Sequence, residues 1–229
     1  MKLYRLTYSP YARKVQLLLD LLGRTYTAVE VPYSDRTELA TVTGGYIYVP
    51  VLVDDDGTVV CDSRRICEHI LVGPAGHRTQ TAADAAGAMV PAPWDGPIWA
   101  YHDWCDGPLE DVLFRIASPI VRDRWQSPSD RALYVLIKER KFGAGCVDAW
   151  ERDREGLEAR GRALLAPSAR TLAARPFLFG DAPTLADVAL YGQFAMLAAA
   201  DRALPARFGA QFPAWISRLE ELAAAARAR

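Results

Sequence analysis

A serine followed by a proline stands where a predicted strand gives way to a predicted helix. Ser9 is a favoured N-cap residue, and Pro10 is a favoured first helical residue. The free amides and positive dipole end of a helix N-terminus favour an anion, to which a serine hydroxyl can donate a hydrogen bond. No histidine is placed as a base for Ser9, which disfavours a hydrolase triad. Ser9 is therefore either a plain helix cap or a hydrogen-bond donor.

Two further pairs of residues allow both a structural and a functional interpretation. Pro50, after Val49, either marks the edge of an apolar strand or, if the peptide bond is cis, serves a specific purpose. Asp62 and Ser63 precede a helix. Both are favoured caps, and the same helix end suits the binding of an anion.

The cysteines and histidines lack the spacing of a metal site. They stand at Cys61, Cys67, Cys105, Cys146, His69, His77 and His102. Because no two cysteines form a C-x-x-C pair and no histidine stands at ligand spacing from them, we expect reduced thiols and no metal.

The bulk composition excludes several classes of partner. The 229 residues carry a formal net charge of -1, and 51% of them are hydrophobic. Such a balance gives no indication of nucleic-acid or anionic-membrane binding. The N-terminus lacks the apolar core of a signal peptide, and no apolar run reaches the length of a membrane span. We therefore expect a soluble cytoplasmic protein.

The elements that position these residues alternate in the first part of the chain. Strands are predicted at residues 3–8, 26–31, 49–53 and 58–61. A helix begins at Pro10 and ends at Gly23, a second covers residues 64–71, and residues 37–45 are compatible with a short helix. The predicted order is β-α-β followed by β-β-α.

The rest of the chain is predicted to be helical. Helices are expected at residues 98–117, 129–140, 147–174, 185–200 and 211–226. Thr184 and Asp187 form a variant capping box for one of them. We predict an N-terminal domain at residues 1–75, a linker at 76–96 and a C-terminal domain at 97–229.

Four short sequences resemble motifs of the glutathione S-transferase family. The first is SPYA at residues 9–12, which is similar to a glutaredoxin active site with both cysteines replaced. The second is Val49-Pro50, which is similar to the cis-proline step of thioredoxin-like proteins. The other two are Asp62-Ser63 and FGDAPTLAD at residues 179–187. Their order and spacing match the family, of the serine or cysteine type, along essentially the whole chain. The resemblance implies an α/β thioredoxin-like N-terminal domain and an all-α C-terminal domain.

The resemblance also implies a function. Ser9 would donate to the thiolate of glutathione, the backbone of Val49 beside Pro50 would pair with the cysteinyl part, and Asp62 and Ser63 would hold the γ-glutamyl end. The reaction would be attack of that thiolate on a small, hydrophobic electrophile by a cytoplasmic homodimer acting in detoxification. The acceptor pocket is predicted between the domains, with candidates Tyr11, Arg13, Tyr101, Trp104 and Cys105.

Two stretches depart from the family pattern, and two other functions stay open. The sequence YIY at residues 46–48 stands where many relatives carry a lysine, and residues 138–146 have no assigned role. A glutathione-dependent disulfide oxidoreductase would need a cysteine where Ser9 or Ala12 stands, which disfavours it. A non-enzymatic binding protein with the same fold is the second alternative.

Overall fold

The computed structural model describes residues 1–72 and 87–228. In the first range, strands and helices alternate as predicted. The strands are β1 (Lys2–Arg5), β2 (Thr27–Glu30), β3 (Val51–Val53) and β4 (Val59–Cys61), and the helices are α1 (Pro10–Leu21), α2 (Thr37–Thr43) and α3 (Ser63–Val72). The strands form one sheet in the order β2-β1-β3-β4, in which β1 and β2 are parallel and the other neighbours are antiparallel. The predicted thioredoxin-like arrangement is confirmed.

The second described range is helical. Its helices are α4 (Asp95–Trp104), α5 (Glu110–Arg124), α6 (Pro128–Phe142), α7 (Cys146–Arg152), α8 (Arg154–Ala174), α9 (Leu185–Ala200) and α10 (Gln211–Arg227), with short 3₁₀ turns at Ala92–Trp94 and Pro205–Phe208. The all-α C-terminal part is thereby confirmed. The predicted helix over 147–174 is two helices, which meet at Asp153. The predicted linker over 76–96 lies partly outside the described residues.

A π-helical turn, Cys105–Leu109, joins α4 and α5 into one continuous helical rod. Pro108 lies inside this turn and has no amide hydrogen to donate to the preceding turn. A wider turn accommodates that loss, and such turns occur frequently at functional sites. The sequence pattern predicted one helix here without the wider turn.

Helix α1 connects the two parts of the molecule. One of its faces packs on α3 and β1, and other faces pack on α9 and α10. Val15, Leu18 and Leu19 are fully buried in this arrangement. Because Ser9 begins α1, the packing of α9 against this helix also determines where the Ser9 hydroxyl lies.

A buried lysine adds a polar connection between the same elements. Lys14 on α1 donates from Nζ to Asp106 in the π turn, and Nζ lies 2.8 Å from Nε2 of His102 on α4. Nδ1 of His102 lies 3.1 Å from Asp103. Burial, followed by the charge of Lys14, lowers the pKa of His102. A neutral His102 with its proton on Nδ1 satisfies all these contacts.

Candidate functional site

A cavity of about 710 Å³ lies between the sheet domain and the helical domain. One wall consists of the end of β1, the start of α1, the segments beside α2 and the start of α3. The other wall consists of the π turn, α5, α6 and one residue of α9. All five residues predicted to bind glutathione line it together: Ser9, Val49, Pro50, Asp62 and Ser63.

Ser9 is the N-cap of α1 and faces this cavity. Its Oγ accepts a hydrogen bond from the backbone N–H of Ala12 at 3.3 Å, and the residue is 8% exposed. Because Oγ serves as the acceptor of the cap, its own proton remains available to a ligand. The two interpretations of Ser9, cap and donor, are therefore compatible in one geometry.

The Val49-Pro50 peptide bond is cis. Both residues line the cavity immediately before β3 begins. Tyr46 and Tyr48, whose ring centroids are 5.5 Å apart, line the same part of the wall.

Asp62 and Ser63 form the N-terminus of α3. Asp62 has a φ of 78°, in the left-handed region, which aspartate tolerates better than most residues. Its Oδ1 accepts from the backbone N–H groups of Arg64 at 3.0 Å and Arg65 at 3.2 Å. The capping contacts among the described residues use Oδ1, so Oδ2 can meet a ligand. Ser63 is buried beside it.

The acidic part of the cavity lies beside Asp62. Tyr11 lies near the carboxyl groups of Asp62, Asp106 and Glu110, and burial and these charges raise the pKa of its phenol. Burial raises the pKa of Glu110 to about 7. Oδ1 of Asp106 is buried and has no hydrogen-bond partner among the described residues. This part of the cavity can therefore accept a ligand ammonium group.

The opposite part of the cavity is basic and aromatic, and sequence reasoning missed it. Arg36, before α2, and Lys138, on α6, both line this part. Tyr33 lies between Arg36 and Lys138, and Tyr134 lies beside Lys138. One feature at the start of the unassigned stretch 138–146 could have indicated this part of the cavity. Lys138 follows Tyr134 by four residues, so the two side chains lie on the same face of α6.

Four of the five predicted acceptor residues lie outside the cavity lining, whereas Tyr11 is part of it. Arg13 follows Tyr11 by two residues, which turns its side chain about 200° around α1. Its guanidinium donates to Gln16 at 3.0 Å and to Tyr191 at 3.4 Å. Arg13 therefore does not line the acceptor pocket, contrary to the prediction.

The other three residues lie on the far face of the rod formed by α4 and α5. The Tyr101 hydroxyl lies 2.7 Å from Ser168 Oγ, and its ring packs 5.2 Å from that of Trp104. Cys105 is fully buried. The residues that face the cavity, Asp106, Glu110 and Phe114, recur every four positions on a different stripe. An error of one residue along a helix changes the direction of the side chain around the helix axis by about 100°.

The described residues contain neither a membrane-spanning helix nor a cluster of metal ligands. Among residues 1–72 and 87–228, no helix combines the length and the apolar character needed to cross a membrane. Within the same ranges, no group of three or more His, Cys, Asp or Glu side chains is arranged to hold a metal ion.

Two family models match the sequence, one in each domain. The model for "Glutathione S-transferase, N-terminal domain" matches residues 3–76, and the model for "Glutathione S-transferase, C-terminal domain" matches residues 148–226. Together they cover well over half of the chain. No curated protein matches the sequence significantly.

Solved structures share the fold at low sequence identity. A glutathione S-transferase of Rhodospirillum rubrum F11 has a TM-score of 0.67 and 24% identity, over 96% of this chain and 87% of its own. A glutathione S-transferase of Ceriporiopsis subvermispora, in complex with glutathione, has a TM-score of 0.77 and 16% identity, over 96% of each chain. Glutaredoxin 2 of Salmonella typhimurium, also in complex with glutathione, has a TM-score of 0.67 and 16% identity, over 100% and 98%.

Proposed function

This chain belongs to the glutathione S-transferase family, and we propose that it transfers glutathione to a small electrophile. The observation that carries the proposal is the placement of Ser9 at the N-terminus of α1, in one cavity with Val49, Pro50, Asp62 and Ser63. Homodimer assembly, a cytoplasmic location and a role in detoxification follow from the family resemblance and belong to the same proposal.

The proposed chemistry begins with ionisation of the glutathione thiol. A free thiol has a pKa of about 8.5, and the thiolate is the nucleophile. The Ser9 hydroxyl and the N-terminus of α1 stabilise the anion and so lower that pKa. The thiol proton passes to solvent, the sulfur forms a bond to the electrophilic carbon, and a leaving group departs with its electron pair. Ser9 keeps its own proton throughout.

The charges of the wall support one orientation of glutathione. Its γ-glutamyl ammonium lies between Oδ2 of Asp62 and the unpartnered Oδ1 of Asp106. Its γ-glutamyl carboxylate accepts from Ser63 and from the first amides of α3. The main chain of Val49 pairs with the cysteinyl amide. The acceptor then occupies the opposite, aromatic part of the cavity.

The two alternatives predict different results. A disulfide oxidoreductase needs a reactive thiol, and no cysteine is among the described residues that line the cavity. Cys67 and Cys105 are buried, and burial raises the pKa of both thiols. A non-enzymatic binding protein would keep the cavity but show no turnover with any electrophile.

Removing the charge of Asp62 should weaken glutathione binding. Asp62→Asn keeps a cap acceptor and a side chain that tolerates the left-handed backbone, but it loses the carboxylate that faces the ligand ammonium. We expect the dissociation constant in a calorimetric titration to rise by roughly tenfold, and by a similar factor for Ser63→Ala. Asp35→Asn is the matched control, because its Oδ1 also accepts from a helix-start amide, Thr37 at 2.9 Å, and Asp35 itself does not line the cavity. Equal binding by all variants would contradict the site.

Removing the Ser9 hydroxyl should lower turnover without preventing binding. We expect Ser9→Ala to lower kcat by roughly a hundredfold, as the loss of one preorganised donor does in other enzymes. The pKa of bound glutathione, measured from the ultraviolet absorbance of its thiolate, should rise.

Two variants separate this effect from the loss of a helix cap. Ser9→Thr keeps the hydroxyl and should retain most of the activity. Ser127→Ala removes an equivalent cap on α6, where Oγ accepts from Asp130 at 3.3 Å, and should affect stability alone. An unchanged thiol pKa in Ser9→Ala would refute the donor role.

A further inference from the structure

We propose that the acceptor end of the cavity takes electrophiles that carry a carboxylate or a similar single negative charge, held by Lys138 and Arg36. The inference rests on the transferase function proposed above and narrows its substrate class. Four observations carry it: the burial of Lys138, the missing counter-charge, the unpartnered groups beside it and the apolar surface next to them.

Lys138 is a buried ammonium group in an aromatic surrounding. The residue is 7% exposed, and Nζ lies 3.2 Å from the Tyr33 hydroxyl. Nζ also lies 3.3 Å from the centroid of the Tyr134 ring, and 5.5 and 5.6 Å from those of Tyr33 and Phe114. These rings stabilise a cation, but they do not neutralise its charge.

No carboxylate in the described part of the chain lies within 4 Å of this lysine or of Arg36. The Arg36 guanidinium lies 5.5 Å from the centroid of the same Tyr33 ring, and its Nε donates to the Tyr33 carbonyl at 3.2 Å. Its NH1 atom is buried without a hydrogen-bond partner. Lys138 is buried and Arg36 is half-buried. Removing such cations from water without a counter-ion is costly, and an anionic ligand offsets that cost.

The phenols around the two cations are suited to the same ligand. The Tyr8 hydroxyl is buried without a partner among the described residues, and its residue adjoins Ser9. Burial raises the pKa of Tyr33 to about 12, and burial also raises that of Tyr8, so both phenols stay protonated at neutral pH. They can donate to an anion.

The remaining lining accommodates the body of an aromatic electrophile. Phe114, Val121, Ile137 and Met196 line the same cavity, and the centroid of the Phe114 ring lies 5.6 Å from Nζ of Lys138. The cavity thus combines an apolar surface, an anion-binding end and the Ser9 hydroxyl. A small aromatic acid with a leaving group on its ring has the matching chemistry.

Protonation of Lys138 adds a pH signature to the proposal. The titratable and charged groups around it are the phenols of Tyr33 and Tyr134, the thiol of Cys146, the ammonium of Lys141 and the guanidinium of Arg36 beside the same Tyr33 ring. Burial lowers the pKa of Lys138 to about 7. The charged form that holds an anion is therefore present below this pH and lost above it, and a bound anion shifts the change upward. Any preference for an anionic substrate should fall as the pH rises.

The test compares a chlorodinitrobenzoate with its methyl ester as acceptors for glutathione. In both reactions the thiolate displaces chloride from the same ring carbon. Because an ester withdraws more electron density from the ring than a carboxylate does, each kcat/KM is divided by the rate constant of the uncatalysed reaction with glutathione, and the ratio of these two quotients reports the contribution of the carboxylate to binding. We expect the wild-type protein to favour the acid. In Lys138→Met the KM of the acid should rise roughly tenfold to a hundredfold relative to that of the ester. Arg140→Met removes an exposed charge from the same helix and should change neither.

A binding measurement separates this inference from the transferase proposal. Dinitrobenzoate has no leaving group and can be titrated into the protein by calorimetry with no reaction. Binding lost in Lys138→Met supports the anion site even if glutathione is neither bound nor transferred. If glutathione is transferred to the ester but the acid is not favoured and Lys138→Met changes nothing, the inference is overturned. It is also overturned if Lys138→Met weakens the binding of glutathione itself and spares the acid.

Discussion

Asp187→Ala should lower the free energy of unfolding by roughly 4 kcal/mol or more, as measured by urea denaturation. Asp187 is fully buried, and its carboxylate accepts four hydrogen bonds. They come from the Leu178 amide at 3.0 Å, the Trp215 indole at 3.1 Å, and the amide and hydroxyl of Thr184 at 3.0 and 3.1 Å. Each donor left buried without an acceptor costs about 1–3 kcal/mol.

The size of this effect reflects how many elements one carboxylate joins. The turn before α9, the first turn of α9 and helix α10 all meet at Asp187. The matched control is Asp181→Ala, because Asp181 is exposed in the same turn. The free energy of unfolding of this variant should lie within about 0.5 kcal/mol of that of the wild type. A loss of only about 1 kcal/mol in Asp187→Ala would mean that the residue is merely a helix cap.

Gly192→Ala should lower kcat/KM by roughly a hundredfold and also destabilise the protein. In the middle of α9, a Cβ at Gly192 would lie 2.9 Å from the Cβ of Lys14 and closer still to the carbonyl oxygen of Pro10. That oxygen belongs to the first residue of α1, so the start of α1 and with it Ser9 must move. A displacement of about 1 Å at a reacting group can cost a hundredfold in rate.

Two opposing effects decide the sign of the stability change. Alanine gains about 1 kcal/mol of helix propensity over glycine, whereas overpacking against backbone costs about 1–3 kcal/mol. We expect the overpacking to win, because a carbonyl of a packed helix cannot rotate away as a side chain does. Gly96→Ala is the control, since nothing lies within 4 Å of a Cβ there. Wild-type kinetics in Gly192→Ala would show that α1 is not held by this contact.

Local sequence was sufficient for the strands, for most of the helices and for one half of the site. Residue types, alternation and a turn signal predicted the four strands, and the capping residues predicted the starts of α1 and α3. Ser9 and Asp62 are both caps and cavity residues, and Ser63 is the first residue of α3 and also lines the cavity. Because a helix N-terminus is recognisable from its own few residues, these positions needed no knowledge of distant contacts.

The other half of the cavity depended on contacts that the sequence pattern does not contain. Arg13, Tyr101, Trp104 and Cys105 lie near the right elements but on the wrong faces, since each residue turns a helix by about 100°. The π turn at Cys105–Leu109 shifts the phase again before α5 begins. Periodicity alone therefore could not identify which stripe of the rod faces the sheet domain.

The sequence alone determined the family, the order of the elements and the residues at the helix starts, because these depend on interactions between near neighbours along the chain. Tertiary structure alone decided that Nζ of Lys138 lies 3.2 Å from the hydroxyl of Tyr33, which stands 105 positions earlier, and that Arg36 contacts the ring of the same tyrosine. A lysine on a helix is usually exposed, and nothing in its local sequence states that another domain covers it. The chemistry of the acceptor end follows from that long-range packing.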